Sequence, residues 1–261
     1  MNTLAVIGAG NLAASAVPAL KKSGVEVTRI YSRTFEHAAN LAKQVDAQPV
    51  RSIRELGDAD FYLLSVTDNC IEETASMLGE VAAKDSIILH TSGSTDIKAL
   101  EPYCSNYGAF YPFQTFSAAR PVTDFSSVPV YIEADSEYTL LKIRELAQRI
   151  SRRVYVLDSE KRMGLHIAGA FSCNFVNGLL SCAFDICNEF GIDFHDLKLL
   201  VDETTKKAFD SGNPAKVQTG PAVRGDMAIV EKHLNFLQAN AELREIYSAM
   251  SGYIMNVKKN S

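Results

Sequence analysis

The chain opens on an apolar run, Leu4-Ala5-Val6-Ile7, that predicts a buried strand, and for about 150 residues the hydrophobic pattern then switches between two periods. Residues 26–31, a near-continuous apolar stretch at 60–66, and residues 86–89 and 107–111 are predicted as further strands. The intervening segments, one ending near Gly24 and others at 35–45 and 71–78, have helical spacing. Strands buried on both faces and separated by helices imply parallel pairing with helices on both sides of the sheet. Residues 129–133 and 153–157 bracket a helix at 137–150 and extend the same sheet. From Asp158 onward strand-like runs stop, and helices are predicted at 160–190, 194–209, 226–238 and 241–257, with stops at Gly191 and Ser211-Gly212-Asn213-Pro214. The predicted class is α/β: a doubly wound, mostly parallel Rossmann sheet over residues 1–157, followed by an all-α domain over 158–261.

Composition narrows the partners. A net charge of -5 on 261 residues gives no broad basic field, which argues against nucleic acid. The chain enters its first strand without a basic and apolar leader, and no apolar run is read as long enough for a membrane helix, so the expectation is a cytoplasmic protein without membrane contact. Five cysteines, an odd number without a C-x-x-C pair, read as reduced thiols rather than a metal site.

The first strand runs directly into Gly8-Ala9-Gly10-Asn11-Leu12-Ala13, the G-x-G-x-x-A form of a dinucleotide fingerprint in the strand, turn and helix context that form needs. Gly8 permits the tight turn, Gly10 lets backbone approach a pyrophosphate, and Ala13 allows close helix packing. The helix N-terminus, from Asn11 and Leu12, then offers free N–H groups to the phosphates. At the end of the second strand a NAD site carries an acid that accepts from the ribose hydroxyls. This chain has Tyr31-Ser32-Arg33-Thr34, and a guanidinium flanked by hydroxyls suits a 2′-phosphate, so the expected cofactor is NADP(H). The alternative is that Ser32 or Thr34 caps the next helix and Arg33 is a solvated charge. Ligands of such sheets sit beyond the carboxyl ends of the strands, which adds Ser65, Val66, Thr67 and Asp68, and the loop His90-Thr91-Ser92-Gly93-Ser94, with Ser92 as a contact. Asp68, and Ser94 or Thr95, are equally readable as helix caps.

With these pieces in place the chain resembles the Rossmann-like NADP oxidoreductases whose N-terminal half is similar to deazaflavin-dependent NADP oxidoreductases and whose C-terminal half is a helical domain of uncharacterised function. The resemblance is carried by the glycine turn, Tyr31-Ser32-Arg33, the His90 to Ser94 loop, Tyr111-Pro112-Phe113-Gln114-Thr115-Phe116, His166 with Asn174, and Thr219-Gly220-Pro221 followed by Arg224-Gly225-Asp226 and His233. The architecture is also similar to pyrroline-5-carboxylate reductases, ketopantoate reductases and β-hydroxyacid dehydrogenases. Two departures stand out. The family pattern commonly has His before Pro112, where this chain has Tyr111. The hydroxyacid and ketopantoate enzymes place a catalytic Lys four residues before a helical Asn, where this chain has Ala170 before Asn174.

At 100° per residue, His166, Ala170, Asn174, Asn177 and Ser181 fall on one face of the long helix predicted at 160–190. This polar stripe either lines a ligand cleft between the domains or is wetted by solvent. Histidine supplies and regains a proton near neutral pH, so the expected catalytic pair is His166 as proton donor and Asn174 as substrate orienter. Tyr111, Arg224 and Asp226 are expected to bind substrate, Arg224 by gripping a substrate carboxylate, although the first reading of Asp226 is as a helix N-cap. His233 lies seven residues later on the same face, and reads either as a cleft residue or as a core or surface histidine.

Three functions remain open: an NADP-dependent reductase of a small anionic metabolite, a catalytically inactive NADP-binding sensor or scaffold, and an enzyme whose second substrate is a deazaflavin. A homodimer through the helical domain is the expected assembly, because related helical domains pair there.

Overall fold

The computed structural model describes residues 2–259, and its contacts divide the chain into two compact units, one up to Cys173 and one from Asn174 onward. In the first unit eight strands form one sheet: β1 Thr3–Ile7, β2 Glu26–Tyr31, β3 Gln48–Val50, β4 Phe61–Leu64, β5 Ile87–His90, β6 Asn106–Pro112, β7 Val130–Ala134 and β8 Val154–Val156. Their order is β3-β2-β1-β4-β5-β6-β7-β8. The first six follow the doubly wound order, whose switch point lies between β1 and β4. Every neighbouring pair is parallel except β6 and β7. The β6–β7 connection contains no helix to carry a crossover, so the chain returns antiparallel. The short strand β3, too brief to show a hydrophobic period, was not expected.

Both faces of the sheet are covered at its centre, which is why β1 and β4 read as continuous apolar runs rather than alternating ones. Along β1, Leu4 and Val6 pack with Ala13, Val17 and Leu20 of α1 (Asn11–Lys22), while Ala5 and Ile7 pack with Ile71 and Leu78 of α3 (Ile71–Gly79). Each fully buried aliphatic side chain of this kind contributes about 1.5–3 kcal/mol. The helix α2 (Phe35–Val45) ends at Asp46, in the left-handed conformation at φ 52°, and α4 (Glu137–Gln148) is capped by Ser136, which accepts from the Thr139 N–H. Asp158 caps α5 (Ser159–Gly169) by accepting from the Lys161 N–H.

The helix expected to run unbroken over 160–190 is interrupted. After α5, residues Ala170–Asn174 form a π turn before α6 (Phe175–Glu189) begins, and the division between the units falls within that turn. A π turn closes i to i+5 bonds, so the regular 100° spacing that put His166, Asn174, Asn177 and Ser181 on one face does not hold across it. The run 159–189 is also long and apolar enough, by length and composition, to cross a membrane, which corrects the expectation that no segment was.

The second unit contains α6, α7 (Lys198–Asp210), the single-turn α8 (Pro221–Arg224), α9 (Met227–Phe236) and α10 (Ala241–Lys259). Gly220, at φ 112°, turns the chain into α8 ahead of Pro221, and Gly225, at φ 71°, ends it. His233 Nδ1 lies 2.7 Å from Tyr247 Oη, tying α9 to α10.

Candidate functional site

The carboxyl ends of β1, β2 and β4 open onto a cavity of about 330 Å³. Seven of the residues expected to hold a nucleotide line it: Gly8, Gly10, Ser32, Arg33, Ser65, Val66 and Thr67. Gly8 stands at φ 96° and donates its N–H to Tyr31 O at 2.8 Å. A Cβ there would overlap the carbonyl of Ser65, so only glycine lets β1 and the end of β4 come this close. Gly10 differs. A Cβ there would meet nothing within 4 Å, so no contact inside the protein demands glycine, and the room it leaves lies at the N-cap of α1. Open space over unpaired helix N–H groups fits a pyrophosphate. At the end of β2, Ser32 and the exposed Arg33 line the cavity, with no acid at that position.

The other cofactor candidates are not among the residues lining this cavity. Asn11 donates from Nδ2 to Phe116 O at 3.3 Å, fastening the β6–β7 loop to the first turn of α1, and Leu12 packs against the core. Thr34 is the N-cap residue of α2 but makes no side-chain cap bond, and Ser32 is not the cap residue. Ser92 is buried and turned to its own loop, its Oγ accepting from the N–H groups of Ser94 and Thr95 at 3.1 and 2.9 Å. Neither Ser94 nor Thr95 caps the following 3₁₀ turn, Ile97–Leu100; Asp96 does, accepting from the Lys98 N–H. Asp68 bonds to Ser94 Oγ, joining the loops that follow β4 and β5.

Beside the His90 to Ser94 loop lies a second cluster within the same unit. Tyr111, on β6 and 9% exposed, places its hydroxyl 3.0 Å from Nδ1 of His166 on α5. The loop admits this pair because position 93 is glycine: a Cβ there would lie 2.6 Å from His166 Nδ1 and 2.8 Å from Tyr111 Cζ. Burial pushes the Tyr111 phenol up to about 12, so it stays protonated through the neutral range. Tyr111, expected to bind substrate, thus stands against His166, while Asn174, expected to orient the substrate, is exposed in the π turn.

One turn before His166 stands Arg162, 1% exposed, which sequence reading missed. Its guanidinium is held by the Glu133 carboxylate of β7, the Thr95 carbonyl and Ser159 Oγ, so α5 is pinned to the sheet and to the loop that packs on the Tyr–His pair. In sequence Arg162 ends a polar run, Asp158-Ser159-Glu160-Lys161, that reads as a solvated helix start.

His90 was expected to line the ligand site and is instead fully buried beneath the loop. It accepts the Ser92 N–H at Nδ1, 3.2 Å, which leaves its proton on Nε2, an atom without a hydrogen-bond partner among the described residues. Burial, reinforced by the nearby Arg162 charge, pushes this imidazole down to about 3.

In the second unit Arg224 is exposed at the end of α8. Asp226, a proposed substrate ligand, uses its carboxylate to cap α9, accepting from the Ile229 N–H at 3.3 Å. No group of three or more metal-ligating side chains occurs among the described residues.

Residues 3–93 match the family model described as NADP oxidoreductase coenzyme F420-dependent, and residues 128–254 match a domain of unknown function, DUF2520. No curated protein matches the sequence. Among solved structures, BF3122 from Bacteroides fragilis, assigned as an NADP oxidoreductase, is 34% identical over 98% of both chains, with a TM-score of 0.91. The protein TM1727 from Thermotoga maritima shares the fold at 20% identity and TM-score 0.70 over 98% of both chains. The imine reductase from Myxococcus stipitatus, solved with NADP+, shares it at 15% identity and TM-score 0.75 over 99% of this chain and 95% of its own. The glycine turn, the Ser32-Arg33 strand end and the end-to-end match to BF3122 agree: this chain belongs to the family of NADP oxidoreductases that joins an F420-dependent-type nucleotide-binding domain to the DUF2520 domain.

Proposed function

We propose that this protein is an NADP(H)-dependent reductase of a small, anionic carbonyl or imine metabolite, with His166 as proton donor and Tyr111 as its positioning partner. The observation that carries the reading is the Tyr111–His166 pair, held against Gly93 in the unit that also contains the nucleotide cavity. A nicotinamide bound there would supply the hydride. Gly8, Gly10 and the amides of α1 would hold the pyrophosphate, and Ser32 and Arg33 the 2′-phosphate.

The proton assignment follows from the tyrosine. A relay ending on a phenolate is disfavoured for a phenol near 12, so the donated proton is assigned to His166 Nε2–H rather than to the tyrosine. Loss of that proton leaves the Nδ1–H tautomer, whose hydrogen Tyr111 Oη accepts, and the ring keeps its orientation through the step. The preference for an anion carries forward the expectation read from the sequence alone, in which the guanidinium of Arg224 matches a carboxylate bidentately. A homodimer belongs to the same reading: Leu199, Leu200, Phe209 and Phe236 of the second unit are 65–84% exposed, more apolar surface than a lone subunit usually shows water.

The test is NADPH oxidation against a panel of 2-oxo acids, cyclic imines and a deazaflavin. Turnover with any one of them, lost in His166→Ala, supports the reading. The second reading, an NADP-binding sensor, is favoured by Ala170, which puts a methyl group where related enzymes keep a Lys. Tight NADPH binding without turnover on the whole panel would select it.

A further inference from the structure

We propose that Arg51 is a second phosphate-binding cation of the nucleotide site and that, with Arg33, it sets the preference for a 2′-phosphorylated nucleotide. The inference rests on the reading of the cavity as an NADP(H) site and adds a residue to it.

Parallel pairing places this arginine. In the β2–β3 register Tyr31 lies opposite Val50, so the next residues, Ser32 and Arg51, leave the sheet side by side at the carboxyl ends of adjacent strands. Such strands run about 4.8 Å apart, which brings Arg51 next to the Ser32-Arg33 corner. Two residues further on, Ile53 lines the nucleotide cavity, so the β3 exit forms part of its rim.

The side chain is also oriented. Arg51 Cζ lies 3.9 Å from the ring centroid of Phe35, the first residue of α2, which follows Ser32-Arg33-Thr34 directly. Stacking uses the flat face of a guanidinium and leaves its in-plane N–H groups free to donate, the arrangement that suits phosphate oxygens. Neighbouring arginines are engaged with the protein: Arg54 pairs with Glu80, and Arg29 donates to Leu56 O. Arg33 and Arg51 form no ion pair among the described residues, and both are exposed. Two unneutralised cations beside a hydroxyl, with no acid at the end of β2, form a dianion site; Phe35 fixes one of them in place.

The experiment is calorimetric binding of NADPH, NADH, 2′-AMP and 5′-AMP to wild-type protein, Arg51→Ala, Arg51→Lys and Phe35→Leu. Because Arg51 is exposed, its loss leaves the core intact. Arg51→Ala is expected to weaken NADPH and 2′-AMP roughly ten-fold, the worth of one charge-assisted contact, and to change NADH and 5′-AMP less than two-fold. Arg51→Lys and Phe35→Leu should fall between, since one keeps the charge without the fork and the other frees the fork. A wild-type preference for NADPH that survives Arg51→Ala, or an equal loss for NADPH and NADH, would overturn the inference. A wild-type protein that does not distinguish NADPH from NADH would overturn the NADP(H) reading itself, a separate result.

Discussion

A buried imidazole held near 3 makes the stability of this protein depend on pH in a calculable way. His90 sits at the end of β5 beneath the loop that supports the Tyr–His pair, depressed by burial and by the charge of Arg162, and only weakly opposed by Asp68 and Asp96. In the unfolded chain the same group titrates at 6.5. The folded value is the lower one, so above 6.5 both states are neutral there and the linkage vanishes. As pH falls below 6.5 the unfolded state takes up a proton that the folded state refuses, and stability declines until about pH 3. At pH 5, one and a half units below the unfolded value, the loss is about 2 kcal/mol. His90→Asn removes the titration while keeping an oxygen to accept the Ser92 N–H. Urea unfolding of both proteins at pH 7.5 and pH 5, followed by far-UV circular dichroism because the chain has no tryptophan, isolates the contribution. The wild type should lose about 2 kcal/mol more than His90→Asn between the two pH values. Equal losses would show that His90 is protonated in the folded protein, and would refute the packing described around it.

Further consequences concern the two clusters. Gly8→Ala forces a side chain into left-handed backbone and onto the Ser65 carbonyl; a loss of roughly 3 kcal/mol is expected, with nucleotide binding abolished, measured by thermal melting with and without NADPH. His166→Ala should lower turnover on an accepted substrate by about 100- to 10,000-fold with nucleotide affinity unchanged, and unaltered turnover would remove His166 from the chemistry. Tyr111→Phe keeps the ring packing but frees the imidazole, so kcat should fall and its pH profile shift, while the Kd for NADPH holds. Glu133→Ala leaves Arg162 buried with one partner fewer and should destabilise the first unit by roughly 3 kcal/mol, read by urea denaturation.

The residues that line the cavity at the ends of β1, β2 and β4 were legible in the sequence because their geometric requirements are local. Gly8 and Gly10 answer to one turn, and Ser32-Arg33 to one strand end, so a few consecutive residues carry the meaning. The layer order was readable for a similar reason: β1 and β4 are apolar on both faces, and that pattern belongs to parallel strands under helices. Contacts made over long separations were not legible. Tyr111 and His166 lie 55 residues apart, and Glu133 and Arg162 lie 29 apart; neither pairing leaves a periodic trace. The π turn at Ala170–Asn174 was invisible because residues of ordinary helical propensity fill it, and with it went the assumption that Asn174 shares a face with His166. His90 misled in another way, since a histidine at a strand end reads as a ligand contact until its burial is known.

On the proposed reading, the ends of β1, β2 and β4 hold NADP(H) with its reactive end directed to the Tyr111–His166 pair. A crystal structure of the protein with NADPH tests it most directly. The pyrophosphate is expected over Gly10 and the first turn of α1, the 2′-phosphate at Ser32 and Arg33, and nicotinamide C4 on the side of the cavity nearer His166. A nucleotide bound away from Gly8 and Gly10, or one whose nicotinamide C4 faces away from His166, would contradict it.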